Sequence, residues 1–296
     1  MDYRLSGLVY VNRNFLVRPY WVYGSIRLGL AVPAKEDVEP GSGPEIRWLA
    51  WLRPRHNQLM GQTAIAFLVI AVAAAGAAGA DEFATQAGPL TITPIAHASL
   101  MIQAGGQVVH VDPARAEYGN APKADLILIT HGHGDHFDPK LITLLSKSGT
   151  VVVAPPAVAA QVSGAKALAN GESTSVGPWK LDATPAYNIK RERAPGQVFH
   201  PKGEGNGYVV AFGGFRICLA GDTENIPELA SLQDIGVAFL PMNLPYTMPP
   251  EEAAEAAKTL RPKIVYPYHY RGTDLTVFEK ALAGTGIEVR LREWYP

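Results

Sequence analysis

Cysteine is nearly absent from this sequence: Cys218 is the only one in 296 residues. No intrachain disulfide can form, and cysteine usage carries no signal about redox compartment. Inside the apolar stretch Phe215–Ala220 the thiol reads as core. Net charge is missing too, since 26 lysines and arginines stand against 27 acids. That balance gives no electrostatic reason to expect nucleic acid as the main partner. No internal repeat is visible by eye. A chain that is 47% hydrophobic and 18% charged is enough for one large α/β domain with an extension.

The extension fills the first 80 residues and is a different kind of sequence. Ala64 to Ala80 is an uncharged apolar run, preceded by Arg53, Arg55 and His56 and followed by Asp81 and Glu82. A basic flank, an apolar centre and the small residues Ala78-Gly-Ala80 fit a secretory signal better than a stable span, because the run is short and rich in alanine and glycine. Residues 60–80 are therefore read as a signal peptide, with an uncleaved membrane anchor as the alternative. Residues 1–59 carry aromatics and arginines without steady periodicity and are broken by Pro40-Gly-Ser-Gly-Pro44. They read either as a translation start placed too far upstream, the true start lying near Met60, or as a cytoplasmic extension before an anchor. The expectation is an exported, periplasmic or extracellular domain over residues 81–296, touching a membrane only through 64–80 if that run stays uncleaved.

The densest chemistry lies in Ile129-Thr-His-Gly-His-Gly-Asp-His-Phe137, which places His131, His133, Asp135 and His136 directly after an apolar strand. Imidazole nitrogens and a carboxylate are ligands that a borderline ion such as Zn²⁺ takes, at roughly 2.0–2.2 Å. Gly132 and Gly134 are expected to let the loop adopt backbone angles that β-carbons forbid. Residues 131 and 133 can then face one ion, and 135 and 136 a second, about 3.5–4 Å away. Two later apolar strands end in Asp222 and in His269, where sites form in layered α/β folds. Asp222 could instead cap a turn with Thr223, and His269 could be a packed core histidine.

The order His-x-His-x-Asp-His (131–136), Gly-Asp-Thr (221–223), Pro-Tyr-His (267–269) resembles the metallo-β-lactamase superfamily over about residues 90–290. Softer features are Ala96-His-Ala-Ser-Leu100, Val111-Asp-Pro113 and Leu240-Pro-Met242. They look most like the branch with L-ascorbate-6-phosphate lactonase and the N-acyl-phosphatidylethanolamine phospholipase D type enzymes. The resemblance implies a four-layer αββα sandwich of two similar halves, with every ligand on loops at one edge. It implies that His131 and His133 hold a first ion, that Asp135, His136 and His269 hold a second, and that Asp222 bridges them. Asp112 matches an aspartate that fixes the tautomer of a ligand imidazole, or it begins the Asp-Pro turn. The ions, Zn²⁺ with Mn²⁺ or Fe as alternatives, would bring the pKa of bound water from 15.7 toward about 7 and supply a hydroxide, which Asp135 orients.

One departure stands out. The family usually supplies a third histidine to the first ion from the region that here reads Ala183-Thr-Pro-Ala-Tyr-Asn-Ile189. Asn188 and His200 are the candidates to replace it. His200 is favoured because an imidazole suits a transition-type ion better than an amide oxygen. Its loop, with Gly203, Gly205 and Gly207, is expected to be flexible enough to carry it to the ion or to act as a lid over substrate. Tyr246 is a candidate donor to the oxygen under attack. Lys202, with Lys190, Arg191, Arg193 and Arg271, would suit a phosphate or carboxylate on a small-molecule substrate. The expected activity is metal-dependent hydrolysis of a small anionic ester, lactone or phosphodiester. A non-catalytic metal- or ligand-binding module of the same fold, or a nuclease, are the alternatives.

Overall fold

A computed structural model describes residues 79–295. The extension over 1–59, and the apolar run except its last two residues, lie outside the described residues. Among those described, no helix is long and apolar enough to cross a membrane.

Two seven-stranded sheets form the frame. The first runs in sequence order from β1 (Asp81–Thr85) through β2 (Gly88–Ala96), β3 (Ser99–Ala104), β4 (Gln107–Val111), β5 (Leu126–Leu128) and β6 (Val151–Ala154) to β7 (Lys166–Ala167). Its first four strands are antiparallel, and β4 to β7 are parallel. The second sheet repeats that plan. Strands β8 (Ser173–Val176), β9 (Trp179–Ala186), β12 (Gly205–Phe212) and β13 (Phe215–Leu219) are antiparallel, and β13, β14 (Val237–Pro241), β15 (Ile264–Tyr268) and β16 (Glu288–Val289) are parallel. A small hairpin of β10 (Glu192–Ala194) and β11 (Gln197–Val198) stands apart.

Strand periodicity explains the four layers. In β5, Leu126 and Leu128 face the other sheet while Ile127 faces outward; in β13, Ile217 and Leu219 face inward and Cys218 outward. Such strands are buried on both faces and read as continuous apolar runs rather than alternating ones. Between the sheets lie Ile92, Leu100, Val109, Trp179, Tyr208 and Phe239. Outside the first sheet, α1 (Pro139–Leu145) and α2 (Pro156–Ala159) cover Ile127, Ile129 and Val152. Outside the second, α3 (Pro250–Leu260) and α4 (Leu275–Leu282) cover Cys218, Ala238 and Val265. Burial pushes the Cys218 thiol up to about 12, as expected of an inert core cysteine.

The strand before the motif stops at Leu128, because Thr130 turns its N–H and hydroxyl onto Asp112. Helix α2 is only one turn long. Strands β1, β7, β8 and β16 lie at or beside sheet edges and carry short or polar sequences, so period-two hydrophobicity does not mark them.

Candidate metal centre

The parallel strands β4, β5, β13 and β15 deliver their following residues to one edge of the sandwich. Asp112 follows β4, the His131–His136 loop follows β5, Asp222 follows β13 and His269 follows β15. Gly221 enables the third of these. It adopts φ +67, and a Cβ there would meet the Asn206 carbonyl oxygen at 2.7 Å, so only glycine lets the chain turn Asp222 inward. The Asp222 carboxylate faces the histidines, and the Thr223 hydroxyl beside it donates to the Tyr187 carbonyl at 3.1 Å.

Asp222 is the hub. Its Oδ2 lies 3.3 Å from His200 Nε2, 3.3 Å from His269 Nε2 and 3.9 Å from His131 Nε2, and its Oδ1 lies 3.4 Å from His136 Nε2. The potential ligand atoms fall into overlapping groups: His131, His133 and His200; His131, His136 and Asp222; and His97, Asp135, His136 and His269. The expected residues thus converge, and His200 joins them as the third histidine of the first group.

Three imidazoles are oriented from behind. His136 Nδ1 donates to Asp112 Oδ2 at 2.8 Å. The Thr130 hydroxyl donates to the same carboxylate at 2.6 Å and accepts from His131 Nδ1 at 3.1 Å. His200 Nδ1 donates to Asn188 Oδ1 at 2.7 Å. In the neutral rings that a metal takes, each bond keeps the proton on Nδ1 and turns Nε2 toward the hub. Asn188 is therefore not a replacement ligand. Its amide donates to buried Glu224 and to the Tyr246 carbonyl, which leaves Oδ1 to hold His200.

The electrostatics reinforce this arrangement. Burial lowers the His131 pKa well below its ordinary value, with the neighbouring His136 adding to the effect. Burial also opposes charge on His136, but Asp222 and Asp112 outweigh it and raise that group well above the ordinary range. For Asp222, burial favours the neutral acid, yet His269 and His136 hold the carboxyl far below the ordinary carboxylate value.

The residues fit a metal by a separate measure. His136 Nε2, His200 Nε2, Asp222 Oδ1 and both His269 ring nitrogens are buried without a hydrogen-bond partner. A buried polar atom left unpaired costs about 1–3 kcal/mol, and so many in one place are an expensive arrangement unless a cation meets them.

Several details differ from expectation. Gly132 and Gly134 do not supply the unusual backbone: neither has positive φ, and a Cβ would fit at both. The site residues themselves carry it, with φ of 56° at His97, 44° at Asp112, 49° at Arg115 and 48° at His269. The loop carrying His200 does not owe its position to flexible glycines either, because Gly205 and Gly207 are paired into β12 against Ala186 and Thr184. Lys202 turns to Glu228 at 2.7 Å and the Tyr187 hydroxyl at 3.3 Å. Arg191 is taken by Glu224 and Glu252, and Lys190 by Glu252. Tyr246 packs edge-on against Phe199 at 5.0 Å and does not line the cleft beside His200. Sequence reading gave no role to His97, Thr130, Arg115, Glu224 or Tyr295. Only His97 had a signal, its place in the Ala96-His-Ala-Ser feature.

A cleft of about 170 Å³ opens against His131, His133, His200 and Asp222, and is otherwise lined chiefly by Ala157, Val158, Gln161, Phe199 and Glu204.

A family profile described as "Beta-lactamase superfamily domain" matches residues 91–269. The sequence is 35% identical over 190 residues to a UPF0173 metal-dependent hydrolase of Thermus thermophilus, covering 60% of this chain and 81% of that one. A crystal structure described as a metal-dependent hydrolase from Parabacteroides distasonis superposes with a TM-score of 0.70 at 45% identity, covering 73% of this chain and 99% of the other. Igni18, a metallo hydrolase from Ignicoccus hospitalis, shares the fold at TM-score 0.60 and 23% identity, over 70% and 96% of the two chains. The chain belongs to the metallo-β-lactamase superfamily and, within it, to the UPF0173 metal-dependent hydrolases. It is a metal-dependent hydrolase.

Proposed function

We propose that this hydrolase works with two ions, the first held by His131, His133 and His200 and the second by Asp135, His136 and His269, with Asp222 shared between them. The observation that carries the reading is the convergence of unpartnered, buried Nε2 atoms on the Asp222 carboxylate. Imidazole with carboxylate suits Zn²⁺, with iron or manganese as alternatives. Bound there, the ions supply an acidified water and polarisation of the carbonyl or phosphoryl oxygen under attack.

The protein's own part follows from exposure and charge. Asp135 is the most open carboxylate of the cluster, its side chain 23% exposed against 4% for Asp222. Burial pushes its pKa up, but the neighbouring His269 imidazole, 3.7 Å away, and the hydrogen bond from His97 more than reverse that and keep it ionised. It orients the attacking water by accepting a hydrogen bond from it. The cleft beside His133 and His200 receives a small substrate with an apolar group against Phe199 and Val158.

Ester, lactone and phosphodiester substrates all fit this chemistry. Of the basic residues first expected to hold an anion, Lys190, Arg191 and Lys202 are paired with acids. Arg115, half exposed and 3.9 Å from Asp135 Oδ2, is the cation beside the site that could meet an anionic substituent. A hydrolysis panel on the zinc-, manganese- and iron-loaded protein tests the reading. Turnover of one class, with Arg115→Ala raising KM more for an anionic member than for its neutral analogue, is expected. Two bound ions without turnover of any class would instead favour a binding module.

A further inference from the structure

We propose that His97 is a positioning residue for Asp135, set as a hydrogen-bond donor by Tyr295 near the carboxyl terminus. The proposal rests on the two-ion reading above. His97 lies in the turn between β2 and β3, is 5% exposed and has φ 56°, a backbone region that costs a non-glycine residue energy and persists only where its surroundings impose it. Those surroundings are visible. The His97 N–H donates to the Trp294 carbonyl at 2.9 Å, and the His97 carbonyl accepts from the His269 N–H at 2.9 Å. Its ring centroid lies 3.9 Å from that of His269. The chain's last residues and the end of β15 thus clamp the turn.

The ring makes two polar contacts: Nδ1 to the Tyr295 hydroxyl at 2.8 Å and Nε2 to Asp135 Oδ2 at 3.1 Å. Counting protons assigns their direction. The Tyr295 oxygen already accepts the Arg271 N–H at 2.9 Å, so the hydroxyl has one proton to give, and His97 Nδ1 is the acceptor in reach. Nδ1 then carries the lone pair, and Nε2–H donates to Asp135. The opposite tautomer would set an Nε2 lone pair against a carboxylate oxygen at 3.1 Å with no proton between them. An imidazolium would also donate from Nε2. In every favourable arrangement His97 serves Asp135 rather than an ion, although its Nε2 lies within the cluster formed by Asp135, His136 and His269. A carboxylate oxygen has two lone pairs. With one of them fixed by His97, the other keeps a defined direction toward the second ion.

The test uses the full chain and reads metal binding rather than turnover alone. Cobalt(II) is titrated against a chromophoric chelator, and the visible band of the bound cobalt is recorded for wild type, His97→Ala, His97→Gln and Tyr295→Phe. His97→Ala is expected to weaken the second equivalent about 10- to 100-fold, the range for partners that orient metal ligands, and to leave the first unchanged. His97→Gln, whose amide N–H reaches toward the position of Nε2, is expected to restore most of the loss. Tyr295→Phe keeps the ring but removes the proton donor, and is expected to weaken the second equivalent by a smaller factor; it carries the test if His97→Ala does not fold. Wild-type affinity in both His97→Ala and Tyr295→Phe, or in Tyr295→Phe alone where the alanine variant does not fold, would overturn the proposal. So would a His97→Gln protein as weak as the alanine variant with a shifted cobalt band, because that result makes the imidazole itself a ligand. A wild-type protein that takes up one equivalent only would overturn the two-ion reading together with this proposal, and is distinguished by the wild-type titration.

Discussion

The Asn188 side-chain oxygen accepts both the backbone N–H of His200 at 2.8 Å and its Nδ1–H at 2.7 Å. One amide therefore fixes the loop and the ring of a histidine 12 residues away. Removing it in Asn188→Ala is expected to lower affinity for the first ion about 10- to 100-fold, with the second ion less affected. Metal titration of the variant checks this; unchanged affinity would mean that backbone packing alone holds His200.

His136→Ala and Asp222→Ala are each expected to abolish hydrolysis while the domain stays folded, since neither residue belongs to the apolar clusters between or outside the sheets. Metal content and circular dichroism, measured beside turnover, separate ligand loss from unfolding. Full activity with both ions retained in either variant would refute the assignment of the centre.

Metal uptake is expected to release protons. In the metal-free chain burial works against a charged His136, but Asp222 and Asp112 prevail and raise its pKa well above 6.5. The stability from that raised pKa is fully present below about pH 6.5, the unfolded value, and is lost as pH rises through the folded pKa. A metal needs the neutral ring, so it competes with this proton, and affinity should climb with pH until the folded pKa is passed. Calorimetric titration with zinc at about pH 7, in buffers of different ionisation enthalpy, should give buffer-dependent heats. Equal heats in all buffers would count against a charged His136.

Gly221→Ala is expected to destabilise the fold and disturb the centre together. The new Cβ would meet the Asn206 carbonyl oxygen at 2.7 Å on a backbone at φ +67. Strain of this kind costs about 1–3 kcal/mol, a fall in Tm of roughly 2–12 °C for a domain of this size. Thermal unfolding with and without chelator measures both effects.

Export with cleavage before Asp81 is proposed from the apolar run at 64–80. Strand β1 begins at Asp81, whose carboxylate receives Arg292 Nε at 2.8 Å and Arg290 Nη1 at 3.2 Å, so cleavage there would leave the first sheet whole. Amino-terminal sequencing of protein from its native cells is expected to begin near Asp81. A cytoplasmic product that starts at Met1 would refute the proposal.

His131, His133, Asp135 and His136 were legible because a loop of six residues after a strand must keep its ligands close, whatever the rest of the chain does. The strands were legible for a related reason: burial on both faces writes itself as apolar runs such as Leu126–Leu128 and Val237–Leu240. Asp222 and His269 could be suspected from their places beyond strand ends, since a parallel sheet gathers those ends at one edge. Ligand type alone favours His200 over Asn188; that Asn188 stands behind His200 and turns its Nε2 toward Asp222 was not legible, because only the fold decides which points inward. The pairing of Lys202 with Glu228 and of Arg191 with Glu224 and Glu252 was not legible for the same kind of reason, since these partners lie far along the chain. His97 and Tyr295 are 198 residues apart, and no spacing rule connects them. Local sequence determined the ligand types and the strands that present them. Tertiary structure decided the tautomers, the partners and the backbone strain, because these depend on side chains brought together across the sandwich edge.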